Sequence, residues 1–440
     1  MLNTLCLILS IELIINLILF KFDFACPPII FNLMFTIASY DLILMRNYWI
    51  VNIRLMTVII ISVGIAVFSI AGVLVRNGQG TIFITRSIKE DYYDISLLRM
   101  CLHILLFFVI TILVMVYRIR LSGYRFSFGG LLSTYRKAID YENLLKIPIM
   151  LKVAITFMQA LAYIWGYLFS EYLVYKKRIS KKCLLMVIVS LGFIFLCYKR
   201  GEVIVYIISV FCMILINLRD DKDIVVKRRV YSFIICITFG AIVSFNSMAL
   251  IMNRSFGESK SIALFSVYLG APILNLNEAL PRMNNRNCVF LSETFHGLYK
   301  SMYKYFHYEP WNYYTSRIFR SSASRATGNT YTTFYDFYHD GGMLGVVVLT
   351  FIMGIVSCKL YRRIRTQNYN NKMLSSVFYS YIYALIWRSF FANSFYEWIQ
   401  PSAIRLLVVL YLCTNCINGN IRIRDGGIIT IQTKVRKNFD

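Results

Sequence analysis

The sequence is poor in charged residues, and poorest in acidic ones. Only 16% of its 440 residues are charged, whereas 58% are hydrophobic, and the mean hydropathy is +0.60. A water-soluble globule of this size needs more polar surface than this composition supplies, so a soluble protein is excluded. The composition predicts a protein whose solvent is largely lipid.

The sequence also lacks the alternating ten-residue pattern that is typical of membrane β-barrels. It has apolar runs of about twenty residues instead, each long enough to cross a hydrocarbon core of roughly 30 Å as a helix. About eleven spans, within a range of 10 to 12, predict an all-α polytopic integral membrane protein, with 1–440 as a single transmembrane domain. The predicted spans are residues 2–20, 27–45, 55–75, 97–117, 147–170, 183–198, 203–218, 230–252, 342–360, 373–391 and 403–417.

The shortage of acidic residues leaves a formal net charge of +25, from 47 Lys and Arg against 22 Asp and Glu. The cations fall in short clusters between apolar runs, where they hold the ends of membrane helices on the cytoplasmic side. Because membrane topology accounts for the positive charge, no nucleic-acid partner is expected. The densest clusters are residues 176–182, 219–229, 362–372 and 422–437. If all of them are cytoplasmic, residues 419–440 form a cytoplasmic tail and the long connection 254–341 lies outside.

Patterns that bind metals or nucleotides are missing as well. Most of the eleven cysteines lie in apolar segments, and Cys413 and Cys416 form an isolated CxxC pair without a second pair. Three of the four histidines, His296, His307 and His339, lie in the long connection without the spacing of metal ligands. No phosphate-binding loop occurs. The sequence therefore predicts no metal, no nucleotide and no cofactor.

The connection 254–341 is a loop of about 88 residues, and loops of such length are usually functional. Within it, Ser292 is placed to cap a helix with one apolar face. The apolar positions are Phe295, Leu298, Met302 and Phe306. This pattern predicts a short helix lying on the membrane surface, whose tyrosines suit either an aromatic belt at headgroup depth or stacking on sugar rings.

Several arginines fall on the outer side of this topology, against the usual orientation bias. The arginines predicted to bind a ligand are Arg200, Arg254, Arg317, Arg320, Arg325, Arg388 and Arg405. A guanidinium near the membrane core costs roughly 2.5 to 3.5 kcal/mol, so it normally has a buried partner or a ligand. Glu202, Glu278 and Glu397 are available as partners, which leaves a structural role open. A lipid diphosphate is the ligand that fits, because the guanidinium fork binds phosphate oxygens bidentately and keeps its proton.

A diphosphate at this depth is also a leaving group, and its displacement by a sugar hydroxyl requires a base. Direct displacement needs a carboxylate or an imidazole within hydrogen-bond reach of the acceptor hydroxyl. The candidate catalytic residues are Asp336, His339, Asp340 and Glu397. The sequence does not rank them.

Residues 328–334 (GNTYTTF) and 338–345 (YHDGGMLG), followed by an apolar span, resemble the oligosaccharide repeat unit polymerases, the O-antigen polymerases. Residues 27–31 (PPIIF), 200–202 (RGE) and 268–270 (YLG) are similar to that family too. The resemblance implies a glycosyltransferase of lipopolysaccharide biosynthesis in a bacterial inner membrane. Such an enzyme transfers a growing glycan from undecaprenyl diphosphate onto the next lipid-linked repeat unit, without a metal or a nucleotide. The implied partners are that lipid-linked oligosaccharide, membrane lipids and a chain-length regulator protein.

Position by position, Asn329, Thr332 and Asp340 match the loop pattern of that family, Gly342 its turn, and Arg200 its arginine between two spans. The resemblance thus implies glycan binding by Asn329, Tyr331 and Thr332. The sequence differs at residues 339–341, where His-Asp-Gly stands in place of an Asp-Phe-Gly type of sequence.

Two other functions remain open. An O-antigen ligase, which hands finished chains to a lipid core, also needs a long outer loop. A flippase for the lipid-linked unit would carry charged residues in both halves around a central cavity, whereas the charge in this sequence is concentrated late and outside.

The placement of the outer arginines predicts that Arg317→Ala abolishes polymerisation and that Arg317→Lys restores little of it, because an ammonium cannot replace the bidentate phosphate contact. The measurement is the length of the surface glycan made by a host that carries only the variant. Near-normal chain length in the alanine variant would remove Arg317 from the site.

Overall fold

The structure is a computed structural model, and every structural statement below concerns the residues it describes. These are residues 1–77, 97–121, 148–175, 180–197, 200–219, 261–283, 291–308, 318, 320–322, 325–366, 372–417, 421–423 and 429–431. Within them the chain is almost entirely helical, and two short hairpins are the only strands. The predicted all-α class is therefore confirmed for the described part of the chain.

The helices are short or membrane-length, with few intermediate ones. In chain order they are α1 Leu2–Leu19, α2 Pro27–Leu44, α3 Arg46–Trp49, α4 Leu55–Asn77, α5 Leu97–Leu121, α6 Ile149–Tyr175, α7 Lys181–Cys197, α8 Arg200–Arg219, α9 Ser261–Leu269, α10 Ala271–Ala279, α11 His296–Phe306, α12 Thr333–Thr366, α13 Lys372–Trp387 and α14 Pro401–Ile417. Single 3-10 turns cover Leu280–Arg282, Arg388–Phe390 and Phe395–Ile399. Strands β1 (Arg320–Ser322) and β2 (Arg325–Gly328) pair antiparallel, as do β3 (Ile421–Ile423) and β4 (Ile429–Ile431).

Seven of the described helices are long and apolar enough to cross a membrane, namely α1, α2, α4, α5, α6, α8 and α12, and α14 is a shorter apolar helix. The protein is thus a multi-pass membrane protein. Ten of the predicted spans coincide with a helix, and the remaining one, 230–252, lies outside the described residues. The count of eleven spans stays a prediction.

The chain forms two compact units. One consists of Met1–Ile84, Ile207–Thr366 and Tyr379–Pro401, and the other of Thr85–Tyr206, Gln367–Phe378 and Ser402–Asp440. In the second unit Trp165 of α6 donates a hydrogen bond to Nδ1 of His103 on α5 at 3.1 Å, and the rings of Phe107 and Phe193 lie 5.2 Å apart. The hairpin β3–β4 falls in the predicted tail 419–440. The candidate site described below belongs to the first unit alone.

Close packing of α4 against α12 forms the centre of the first unit. A Cβ atom added at Gly64 of α4 would lie 2.2 Å from the ring of Phe334 on α12, so the glycine is what admits that ring. Phe334 in turn packs on Phe35 of α2, with ring centroids 5.1 Å apart. Small residues let membrane helices approach closely where hydrophobic burial offers no driving force. The packing therefore fixes the first turn of α12 against α2 and α4.

α12 is broken at Gly341 and Gly342. Gly342 has φ of 57° and ψ of −146°, a conformation open to glycine alone. A Cβ atom at Gly345 would lie 2.3 Å from the carbonyl oxygen of Phe337, so the segment before the break lies directly against the segment after it. The sequence placed the end of the loop at residue 341. The structure shows that the last residues of this loop are already helical, from Thr333 onward.

Cationic side chains gather where α1, α4 and α12 end. Arg76 donates to the carbonyl of Leu19, Arg362 donates to that of Val75 at 2.8 Å, and Arg365 lies 4.0 Å from the carboxylate of Asp23. The prediction that this end faces the cytoplasm rests on the excess of Arg and Lys that cytoplasmic connections carry.

The hairpin β1–β2 lies at the other end of α2. Ser322 donates to the carbonyl of Trp49 at 2.6 Å, and Arg325 donates to that of Tyr48 at 2.7 Å, just beyond the end of α2. The start of α2 is instead near the cationic end, since a Cβ at Gly72 of α4 would meet both Pro28 and Cys358. Because an 18-residue helix is about 27 Å long, the hairpin lies roughly a membrane thickness away from the cations.

The packing at Gly64 predicts that Gly64→Ala destabilises the protein by about 1 to 3 kcal/mol, because the added methyl overlaps a buried ring that has no room to move. Thermal unfolding of the purified protein in detergent measures the effect. Gly192→Ala is the matched control, since a Cβ at that helical glycine meets no atom within 4 Å. Equal melting temperatures for the two variants would contradict the described packing.

Candidate functional site

Three segments far apart in the sequence meet around the carboxylate of Asp340. Its Oδ1 accepts the backbone N–H of Glu293 at 3.1 Å, and its Oδ2 accepts that of Thr294 at 2.7 Å. The Asp340 side chain is fully buried, and hydrogen bonds to a charged acceptor contribute about 1.5 to 3 kcal/mol each. Asp340 therefore ties the turn before α11 to the broken start of α12.

Asn393 joins the third segment, residues 388–400, to the other two. Its amide nitrogen donates to the carbonyl of Thr294 at 3.0 Å, and its amide oxygen lies 3.4 Å from the hydroxyl of Thr333. The hydroxyl of Tyr396 donates to the carbonyl of Leu349 at 2.8 Å, and burial raises the pKa of Tyr396, so that the donor keeps its proton. The segment is thus held against α12 at both its asparagine and its tyrosine.

Arg388 and Glu397 form an ion pair within this third segment. A terminal nitrogen of Arg388 contacts Oε2 of Glu397, and Nε of Arg388 donates to the hydroxyl of Ser394 at 2.5 Å. The Arg388 side chain is 12% exposed and that of Glu397 is 36% exposed. The arginine is therefore almost buried, while the carboxylate remains accessible.

A partly open cavity of about 110 Å³ lies between the turn before α11 and the third segment. It is smaller than the roughly 150 Å³ cavity that accepts a benzene ring, so it has room for one small group. Its walls combine polar and apolar surface. They are formed by Glu293, Thr294, Phe295, His296, Gly297, Leu298, Asn393, Tyr396, Glu397 and Gln400.

Several hydroxyls in and near this cluster are buried without a hydrogen-bond partner among the described residues. Thr294 lines the cavity and is 6% exposed, and its hydroxyl is one of these groups. The others in the outer segments are the hydroxyls of Ser292, Thr330 and Thr332. Buried polar groups nearly always have a partner in a protein, water or ligand included. Hydroxyls of this kind fit a place where a polar ligand or water binds.

The predicted cap at Ser292 is wrong. α11 begins at His296 with Phe295 before it, no side chain caps the helix, and the Ser292 hydroxyl is buried without a partner in the described part of the chain. The reason is that the intervening residues form a turn whose N–H groups are bound by Asp340 instead. The predicted helix itself exists, and its exposed Tyr305 and Phe306 suit a membrane surface.

The four candidate catalytic residues divide into two groups. Glu397 lines the cavity. Asp336 is fully buried in α12, and Nδ1 of His339 lies 3.8 Å from Oδ1 of Asp340, behind the cavity wall rather than on it. The geometry gives Asp340 a positioning role, and contact of these three residues with a substrate stays a prediction. No sequence motif marked Glu293, the second carboxylate on the wall, which is 1% exposed.

The predicted arginines whose side chains the structure describes each have a partner within their own unit. Arg320 donates from Nε to the hydroxyl of Tyr331 at 2.7 Å, and Arg325 lies over the ring of Tyr48 at 4.0 Å. Arg405, in the second compact unit, donates to the hydroxyl of Thr156 at 3.0 Å. Arg254 and Arg317 lie outside the described residues, and the side chain of Arg200 does too. Among the predicted arginines whose side chains are described, Arg388 lies beside a candidate base, Glu397.

The predicted glycan-binding residues follow β2. Tyr331 is buried and donates to the carbonyl of Ile318 at 2.8 Å, while Thr332 is buried with an unpartnered hydroxyl and Asn329 is exposed. Asn275 of α10, which the sequence did not single out, holds this segment by donating to the carbonyls of Thr327 and Thr330. Within the described residues, no group of three or more His, Cys, Asp and Glu side chains is placed to hold a metal ion.

The contacts of Asp340 predict that Asp340→Asn loosens the turn at Glu293 and Thr294. An asparagine offers one acceptor oxygen and turns an amide N–H₂ toward the other backbone donor, so at least one charge-assisted hydrogen bond is lost. Hydrogen exchange at these two amides should accelerate about tenfold or more, measured by mass spectrometry in detergent. Glu278→Gln on α10 makes the same chemical change away from the cluster and should leave them protected. Unchanged hydrogen exchange at the two amides in Asp340→Asn would contradict their hydrogen bonds to Asp340.

Comparison of the chain with protein-family models, with curated protein sequences and with solved structures finds no match. The side chains of this site are therefore the guide to its chemistry, because a fold does not by itself specify one.

Proposed function

We propose that this protein is a surface-polysaccharide polymerase of the O-antigen type. It transfers a growing glycan from undecaprenyl diphosphate onto the next lipid-linked repeat unit at the outer face of a bacterial inner membrane. The observation that carries the proposal is the ion pair that Glu397, on the cavity wall, forms with Arg388. The segments that resemble the polymerase family, 328–334 and 338–345, contain Thr333 and Asp340. These two residues contact the segments that form the cavity wall.

In the proposed reaction an acceptor hydroxyl oxygen bonds to the anomeric carbon of the donor glycan. The bond from that carbon to the diphosphate oxygen breaks, and undecaprenyl diphosphate leaves with the electron pair. The proton of the acceptor hydroxyl passes to Glu397, the accessible carboxylate of the cavity wall. A general base within hydrogen-bond reach contributes about 10²- to 10⁴-fold to such a step.

Arg388 serves this reaction in two ways. It orients Glu397 through the ion pair, and Ser394 fixes the guanidinium from the other side. A fixed cation next to the departing diphosphate also stabilises the charge that develops there, which is worth roughly 3 kcal/mol in a transition state. Because a guanidinium keeps its proton, this charge persists at any pH at which the protein folds.

Deletion of the gene in its own host tests the proposal. For a polymerase, the surface glycolipid on a gel loses its ladder, and one repeat unit remains attached to the lipid core. Loss of every unit, the first included, contradicts the proposal. Long lipid-linked chains accumulating outside would then indicate a ligase, and single units accumulating inside would indicate a flippase.

The ion pair predicts that Glu397→Gln and Arg388→Ala each reduce polymerisation about 100-fold or more, and that Arg388→Lys restores little, since one ammonium cannot bind both Glu397 and Ser394 with the same fork. The measurement is the ladder made by the complemented deletion host. Arg282→Ala, at an exposed arginine in the turn Leu280–Arg282, is the control and should keep the wild-type ladder.

Protein level and thermal unfolding are compared in parallel, because removal of one partner leaves the other charge partly buried. A full ladder from Glu397→Gln would exclude Glu397 as the base. A full ladder from Arg388→Ala would exclude the arginine from the site.

A further inference from the structure

We propose that the cavity beside Glu397 holds the hydroxyl-bearing edge of an uncharged sugar ring, the acceptor ring of the incoming repeat unit, and that the side-chain amide of Gln400 selects it. This inference rests on the proposed function and names the part of the substrate that the cavity takes.

The position of Gln400 depends on Gly297. A Cβ atom added at Gly297 would lie 2.1 Å from Nε2 and 2.5 Å from Cδ of Gln400. The amide therefore lies directly on the backbone of the first turn of α11, in space that any other residue at 297 would fill. Both residues line the cavity. The glycine thus places a planar amide on the wall three residues after the proposed base.

The groups on the wall suit sugar hydroxyls. A primary amide offers two N–H donors and one oxygen acceptor, so it pairs with a hydroxyl that donates and with one that accepts. The amide of Gln400 and the carboxylate of Glu397 supply such groups on the wall. The rings of Phe295 and Tyr396 pack edge to face at 5.2 Å and form the apolar part of the wall.

The charge on the wall decides which sugars fit. Glu293 and Glu397 both line the cavity, whereas Arg388 does not. Glu397 is paired with Arg388, but the carboxylate of a sugar acid would still place an anion beside Glu293 and Glu397 in a small, partly buried space, and like charges brought together in this way disfavour binding. A hydroxyl edge carries no charge and donates a hydrogen bond to either carboxylate. The volume of about 110 Å³ admits this edge rather than a whole disaccharide.

Binding measurements on the full-length protein in lipid nanodiscs test the inference with two probes. One is the lipid-linked repeat unit extracted from the deletion host, and the other is undecaprenyl diphosphate without sugar. Gln400→Ala should weaken binding of the repeat unit about tenfold and leave binding of the bare carrier unchanged. Gly297→Ala should act in the same way because it displaces the amide, whereas the control Gly192→Ala changes neither.

Unchanged affinity of Gln400→Ala for the repeat unit would overturn the inference, and so would an equal loss for both probes. If the acceptor residue of the host's repeat unit is a sugar acid, the proposal that the cavity selects an uncharged ring is wrong. The proposed function fails separately, if the wild-type protein binds neither probe or if the deletion host keeps its ladder.

Discussion

Two hydrogen bonds from the backbone of Glu293 and Thr294 to the buried carboxylate of Asp340 hold the outer part of the first unit together. A carboxylate taken out of water is stable only where donors surround it, so the turn before α11 must stay against the start of α12. The carbonyl of Thr294 then accepts from Asn393, which brings the segment with Arg388 and Glu397 to the same place. The cavity exists because these contacts enclose it.

The broken helix explains how a membrane-length helix and the candidate site share one element. The conformation of Gly342 turns the chain so that the segment with Asp336, His339 and Asp340 lies against the segment after the break. The ring of Phe334 holds the same segment against α2 and α4. The candidate site is thus mounted on packed helices, which gives it the rigidity that a positioned base and a positioned cation require.

The hydropathy pattern predicted the positions of the helices well. A run of about twenty apolar residues that crosses a membrane can adopt few structures other than a helix, because its backbone groups must be hydrogen-bonded within the protein. The placement of the arginines had offered Glu202, Glu278 and Glu397 as their partners, and the structure pairs Glu397 with Arg388. The positioning role of Asp340 and the contact between Gly297 and Gln400 were out of reach, since they join positions about 50 and about 100 residues apart through tertiary packing that no local pattern encodes. The predicted cap at Ser292 was wrong for the same reason. The carboxylate of Asp340, distant in sequence, accepts the N–H groups of this turn instead. The break at Gly342 was not predicted either, because a pair of glycines also suits plain close packing of helices.

The most direct measurement of the central claim is a reconstituted reaction with two components, the purified protein in lipid and the extracted lipid-linked repeat unit. A polymerase of the proposed kind produces a ladder of lengthening glycans and releases one undecaprenyl diphosphate for each unit joined, with no nucleotide added. Protein that remains folded and binds the repeat unit, yet releases no undecaprenyl diphosphate and makes no longer glycan, would contradict it.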